Sequence, residues 1–330
     1  MVNLITIHHY NNFYKTKIMS LFKGQIGLAL KGMAMGIAEV IPGVSGGTIA
    51  FITGIYEKLI NTIKAFSPSL IGVFREDGVS GVWKEVNGNF LVTLMVGMIG
   101  GIVIGVFGVT HLLEEFPQHL WGFFFGLIIA SAIYIGKQVS KWGAFEIVGL
   151  LLGTALAYYI TIASPASGNE SLWFVFLSGM IAISALILPG ISGSFILLLM
   201  GMYTFILPNV KEALTTFSSE SLIITGVFAT GCLVGITSIS RVISWMFDHY
   251  KNTTLAVLTG FMVGSLNKVW PWRNVLSMRE NSKGEMVPFL EESVLPSHFD
   301  GTPDMIPVVI MMVVGFLAVF GMERLGSKSA

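Results

Sequence analysis

Twice in this chain a long apolar stretch is interrupted by Pro-Gly-[Val/Ile]-Ser-Gly, and that interruption limits the possible folds more than any other feature. The first break is Pro42-Gly43-Val44-Ser45-Gly46 within 22–56; the second is Pro189-Gly190-Ile191-Ser192-Gly193 within 172–208. Proline lacks a backbone donor and breaks a helix, and glycine lets the chain turn. Six further stretches, 90–112, 120–136, 143–163, 221–247, 254–270 and 304–322, approach the ~20 apolar residues a membrane-crossing helix needs. Only 12% of the 330 residues are charged and the mean hydropathy is +0.77, where a soluble domain carries about 25% charge. That excludes a disordered chain, a basic nucleic-acid face and almost any soluble enzyme. In lipid, irregular backbone survives only where protein or water covers it. Each break therefore predicts a re-entrant hairpin facing a cavity. The piece 44–55 after the first break is too short to cross comfortably.

The two breaks head two copies of one plan. Aligning Pro42 with Pro189, an offset of 147, makes ten of 25 positions identical between 32–56 and 179–203, among them Gly54/Gly201 and Tyr56/Tyr203. Gly101-xxx-Gly105 finds a counterpart in Gly231-xxx-Gly235, and Gly122-xxx-Gly126 in Gly260-xxx-Gly264. Such spacing lets helices approach closely in lipid. The expected fold is all-α: a polytopic membrane protein of two halves, about 22–165 and 172–325, each a broken hairpin followed by three transmembrane helices. Residues 1–21 read as a polar tail rather than a signal peptide. Residues 22–330 read as one transporter domain, with 57–89 and 271–303 as exposed connections.

Positive residues collect on the cytoplasmic side. With both termini inside, the inner regions and their edge hold 12 of the 19 Lys and Arg residues, and the short loops 113–119 and 164–171 hold none. Three crossings per half then invert the second half relative to the first. Inverted repeats with discontinuous helices are the pattern of a secondary transporter.

A helix restarting after each break points free N–H groups and its positive dipole end into the cavity. Ser45, Gly46, Gly47 and Thr48 after the first break, and Ser192, Gly193 and Ser194 after the second, are candidates for an anion site suited to phosphate or carboxylate. The same hydroxyls can cap their own helices. Glu39 is the only carboxylate deep in an apolar segment, so it is a candidate carrier of a coupling proton. The structural alternative is a partner for Lys31 or for backbone amides. Arg241, in Ser238-Ile-Ser240-Arg241, is either a headgroup ligand or a snorkelling residue; for Lys31 snorkelling is favoured. Trp121, Trp173, Trp245, Trp270 and Trp272 stand at segment ends as interface anchors. No G-x-x-x-x-G-K-[ST] loop, H-E-x-x-H motif or Cys/His cluster occurs, so no cofactor or metal is expected.

The stretch Glu39-Val-Ile-Pro-Gly-Val-Ser-Gly-Gly-Thr48, together with Leu188-Pro-Gly-Ile-Ser-Gly-Ser194 and its continuation to Tyr203, closely resembles the bacterial polyprenyl-phosphate transporter family over roughly 22–325. The resemblance implies a multi-pass protein of the bacterial cytoplasmic membrane. It would return undecaprenyl phosphate from the outer to the inner leaflet, recycling the carrier lipid for peptidoglycan and other envelope glycans. The family's motif residues fall on Glu39, Pro42, Gly43, Ser45, Gly46, Gly47 and Thr48, and on Pro189, Gly190, Ser192, Gly193 and Ser194. Its partners would be the phosphate lipid, surrounding membrane lipids and protons. Two other readings stay open here: a polyprenyl-pyrophosphate phosphatase and a small-anion exporter. One deep Glu and no deep His argue for transport over hydrolysis.

Overall fold

The computed structural model describes residues 24–41, 44–166, 168–280 and 286–327. The polar tail expected over 1–21 lies outside them, and so do Pro42 and Gly43 of the first break.

The chain is an all-α polytopic membrane protein with one small sheet. Helix α1 covers 24–39. After the break come α2 (Gly46–Ile52), α3 (Tyr56–Ala65) and α4 (Leu70–Glu85), then α5 (Gly88–Glu115), α6 (Pro117–Gly136) and α7 (Ala144–Ile162). The second half repeats the order with α8 (Leu172–Ile187), α9 (Gly193–Leu199), α10 (Tyr203–Thr215) and α11 (Ser219–Ser265). Strands β1 (Arg273–Glu280) and β2 (Met286–Ser293) pair antiparallel before α12 (Met305–Ser327). Helices α5, α6, α7, α11 and α12 are long and apolar enough to cross a membrane. Helix α11 is long enough for two crossings. A straight helix of its 47 residues would run about 70 Å, more than twice a ~30 Å hydrocarbon core. Its backbone leaves helical geometry at Tyr250 (φ −136°, ψ 48°). Val96, Phe107, Leu152, Tyr159 and Ile306 stand exposed on these helices, which is where lipid replaces water as solvent.

The offset of 147 carries α2 onto α9 residue for residue and starts α3 and α10 on Tyr56 and Tyr203. Just before those tyrosines the chain turns on glycines at equivalent places, Gly54 (φ +71°) and Gly201 (φ +68°). Left-handed backbone of this kind disfavours any residue with a Cβ. At the second turn α9 and α10 meet at 116°.

Small residues set the helix pairs. Gly97 lies against Ala29 and Gly101 against Met33, so α1 and α5 run parallel. Gly231 lies against Phe176 and Gly235 against Met180, so α8 and the first part of α11 do the same. Met33 and Met180 are repeat equivalents. The spatial counterparts of Gly231 and Gly235 are therefore Gly97 and Gly101, one turn earlier than the sequence pairing with Gly101 and Gly105. A ladder of glycines every four residues admits either register, and only the partner helix selects one. The pairing of Gly122 and Gly126 with Gly260 and Gly264 is the spatial one. Gly122 and Gly126 pack on Val308 and Met312 of α12, and Gly260 and Gly264 on Leu150 and Thr154 of α7. The last helix of each half thus packs on the other half.

The connection 57–89 is helical rather than loop, as α3 and α4. Its polarity hid an amphipathic pattern, with Tyr56, Ile60 and Thr62 buried on α3. The connection 271–303 contains the β-hairpin, where a long exposed loop with a short surface helix is the sequence expectation; Pro288, which demotes a strand, pairs with Met278. Trp272 is buried and Trp270 half-buried. Their ring N–H groups donate to Val294 O (2.8 Å) and Pro303 O (2.6 Å) and hold the hairpin onto the helix ends.

Candidate functional site

The two breaks meet. Ile41, Val44, Ile49 and Ile52 of the first hairpin share one buried core with Ile187 and Ile191 of the second and with Phe261 and Met262 of α11. Ser45 Oγ donates to Leu186 O (3.1 Å) and Leu188 O (3.3 Å) across this junction. The Gly190 N–H donates to Thr48 Oγ1 at 3.0 Å. A Cβ on Gly47 would stand 2.5 Å from Ile187 O, so only glycine permits the approach. The second break is thus covered by hydroxyls of the first hairpin rather than by an open cavity. The physical demand is the one read from sequence, since a buried polar group left unpaired costs about 1–3 kcal/mol. Protein supplies the partners here instead of water.

The two helix starts at the junction differ. On α2, Ser45 Oγ accepts from Gly47 N (3.1 Å) and Glu39 Oε1 accepts from Gly46 N (2.8 Å). A carboxylate of the protein itself therefore occupies the positive end of α2. At the other end, Lys31 Nζ donates to Thr53 O at 2.8 Å. Sequence favoured snorkelling for Lys31; instead the cation meets the negative end of the short helix, and opposite charges at both ends stabilise it. Lys31 and Glu39 do not pair with one another: each serves one end of α2. On α9 Ser192 makes no side-chain cap, and its hydroxyl lies 3.0 Å from Ser194 Oγ. Leu186 stands at the position equivalent to Glu39, so no acid reaches α9 from there.

Arg241 is not brought to this junction. It is exposed on α11 and its Nη1 donates to Thr237 O one turn back (3.0 Å), the behaviour of a snorkelling side chain. Two polar clusters escaped sequence reading. Lys64 Nζ donates to Ser244 Oγ (2.9 Å), which donates to Asn61 Oδ1 (3.0 Å), tying α3 to α11. Lys268, Arg273 and Glu291 gather beyond the end of α11. Asn61, Lys64, Arg273 and Glu291 sit in polar connections, where no periodicity marks a partner, and Ser244 is one hydroxyl within the apolar run of α11.

A family profile described as undecaprenyl phosphate translocase-like matches residues 35–287. A polyprenyl-phosphate transporter of Vibrio cholerae serotype O1 is 42% identical over 303 residues, 91% of this chain and 96% of that one. A polyprenyl-phosphate transporter of Staphylococcus aureus is 33% identical over 257 residues, 73% of this chain and 85% of that one. No solved structure shows significant similarity.

Proposed function

The chain belongs to the undecaprenyl phosphate translocase-like family, and from that premise we propose that it returns undecaprenyl phosphate from the outer to the inner leaflet of the bacterial cytoplasmic membrane. It acts as a transporter and not as an enzyme. The observation that carries this reading is the tip-to-tip meeting of two broken helices through Ser45, Thr48, Leu186 and Gly190. The headgroup is received at the start of α9 by Ser192, Gly193 and Ser194, while the apolar chain stays in the bilayer.

The halves are inverted in this proposal. Parallel pairing of α1 with α5 supports a chain that returns between 40 and 87 to the side it left, and α8 with α11 supports the same for 188–218. Each half then adds three crossings. In this proposal both termini and Lys64 are cytoplasmic and Asp300 is outside, which the bias of Lys and Arg among the connections supports. Single cysteines placed at residues 64 and 300, both exposed, should react with a membrane-impermeant thiol reagent from opposite sides. Labelling of both from one side would remove the inversion.

Glu39 supplies the coupling. It and a phosphate monoester are anions suited to the same amide at α2. Protonation of Glu39 removes its charge and lets the headgroup in, so one proton travels with the substrate. The direct test is leaflet exchange of undecaprenyl phosphate in proteoliposomes of the purified chain. Movement that depends on the protein supports the proposal. A folded chain that moves none, or that releases phosphate from undecaprenyl pyrophosphate, would overturn it.

A further inference from the structure

Beyond the end of α11, the second hairpin is overlooked by a charged cluster that none of the helix-packing requirements calls for. Gly190 packs against Phe261, Met262 and Ser265 in the last turn of α11. Lys268 follows three residues on, and its ammonium stands 4.5 Å over the ring of Phe195, the residue after Ser194. Arg273 reaches in from β1 and Glu291 from β2. One carboxylate oxygen, Glu291 Oε2, lies 3.7 Å from Lys268 Nζ and 3.5 Å from Arg273 Nη2. Charge-assisted N–H to carboxylate bonds run at about 2.7–2.9 Å, so Glu291 bridges both cations loosely.

Two cations therefore share one carboxylate, and the surplus is positive. Arg273 is 93% buried by side chain, from 7% exposure. Its Nη1 donates to Lys268 O (2.6 Å) and Asn267 O (3.4 Å) and its Nη2 to Glu291 O (3.5 Å). Its Nε, fully buried, has no partner. Burial, and then the neighbouring Arg273, push the Lys268 ammonium down to about 8, against the opposing pull of Glu291. A purely structural ion cluster would satisfy its guanidinium, because an orphaned buried donor is costly.

We propose that Lys268 and Arg273 form a receiving site for a phosphate monoester at the mouth of the second hairpin, with Glu291 as an internal anion that the incoming group displaces. Displacing Glu291 frees Nη2 of Arg273 beside its unpartnered Nε, an edge that phosphate oxygens match, and Phe195 links the site to the first turn of α9. The inference deepens the transport reading and takes its substrate class from it.

The test uses the full chain in nanodiscs and three probes: farnesyl phosphate, inorganic phosphate and farnesol. Lys268→Gln removes the ammonium over Phe195 while keeping a polar head, and should weaken farnesyl phosphate about tenfold, the loss of one charge-assisted contact. Glu291→Gln should strengthen it by several-fold, because the competitor loses its charge. A structural salt bridge predicts the opposite sign for the second variant, since removing one partner leaves buried charge uncompensated. Weaker or unchanged binding in Glu291→Gln would overturn the site. Lys268→Arg, which keeps the charge, should retain binding and guards against misfolding of the neutral variant; loss of binding there in folded protein counts against the proposal. Inorganic phosphate competing as well as the farnesyl ester marks free phosphate as a ligand, and competition by the ester alone marks the lipid. Competition by farnesol without phosphate overturns the proposal. Wild type that binds in this pattern yet moves no lipid keeps the site and removes the transport reading. Transport with no response to either variant removes the site alone.

Discussion

Glu39→Gln should leave a folded protein whose lipid movement no longer responds to a proton gradient. Glutamine keeps an oxygen where Glu39 Oε1 accepts from Gly46 N, so the start of α2 stays capped and the hairpin stays formed. It loses the charge that competes with phosphate and the proton that would travel with it. Replacing a charge-assisted hydrogen bond by a neutral one weakens the competitor by roughly 1 kcal/mol. Apparent affinity for the phosphate lipid near neutral pH should therefore rise by about five- to tenfold. Proteoliposomes should show exchange between leaflets without gradient-driven accumulation. Wild-type accumulation in the variant would take Glu39 out of the mechanism and leave it as a helix cap. Glu39→Ala differs: Gly46 N loses its acceptor, which costs about 1–3 kcal/mol, so stability falls as well as coupling.

Gly47→Ala should separate the two hairpins. The added Cβ would stand 2.5 Å from the Ile187 carbonyl and 3.1 Å from Ser45 Oγ. The nearest of these is backbone, which cannot rotate away, and overpacking of this kind costs about 1–3 kcal/mol or more. The Ser45–Leu186, Ser45–Leu188 and Thr48–Gly190 hydrogen bonds depend on the same approach, so transport should fall with thermal stability. Gly100→Ala is the control. It sits in the helical interior of α5 with nothing within 4 Å of a new Cβ. There alanine should be neutral or stabilise by about 0.5–1 kcal/mol. Equal melting temperatures for the two variants would show that the hairpin tips are not in contact. Thr48→Val, which keeps the shape and removes the acceptor of Gly190 N, should fall between them at about 1–3 kcal/mol.

Much of this architecture was legible because membrane helices declare themselves locally. Apolar length marked each crossing, including both parts of α11 on either side of Tyr250. Proline and glycine marked the hairpins, and the offset of 147 read from sequence also superposes the bounds of α2 on those of α9. Glu39 stood out because a carboxylate in an apolar run needs a reason. The β-hairpin was missed for the converse cause: in a polar connection with Pro288 and mixed charges, pairing between β1 and β2 leaves little periodic trace.

The crossings, the breaks, the repeat and the chemical type of the groups beside each break follow from hydropathy, backbone freedom and side-chain identity along the chain. How those groups are used depends on packing between distant segments. That packing set Ser45 and Thr48 against a hairpin more than 140 residues away, gave Glu39 and Lys31 opposite ends of α2, turned Arg241 outward, and placed Lys268 over Phe195. A hydroxyl or a charge satisfies whichever partner packing brings within about 3 Å, and that partner is chosen by helix packing across the whole chain rather than by neighbours along it.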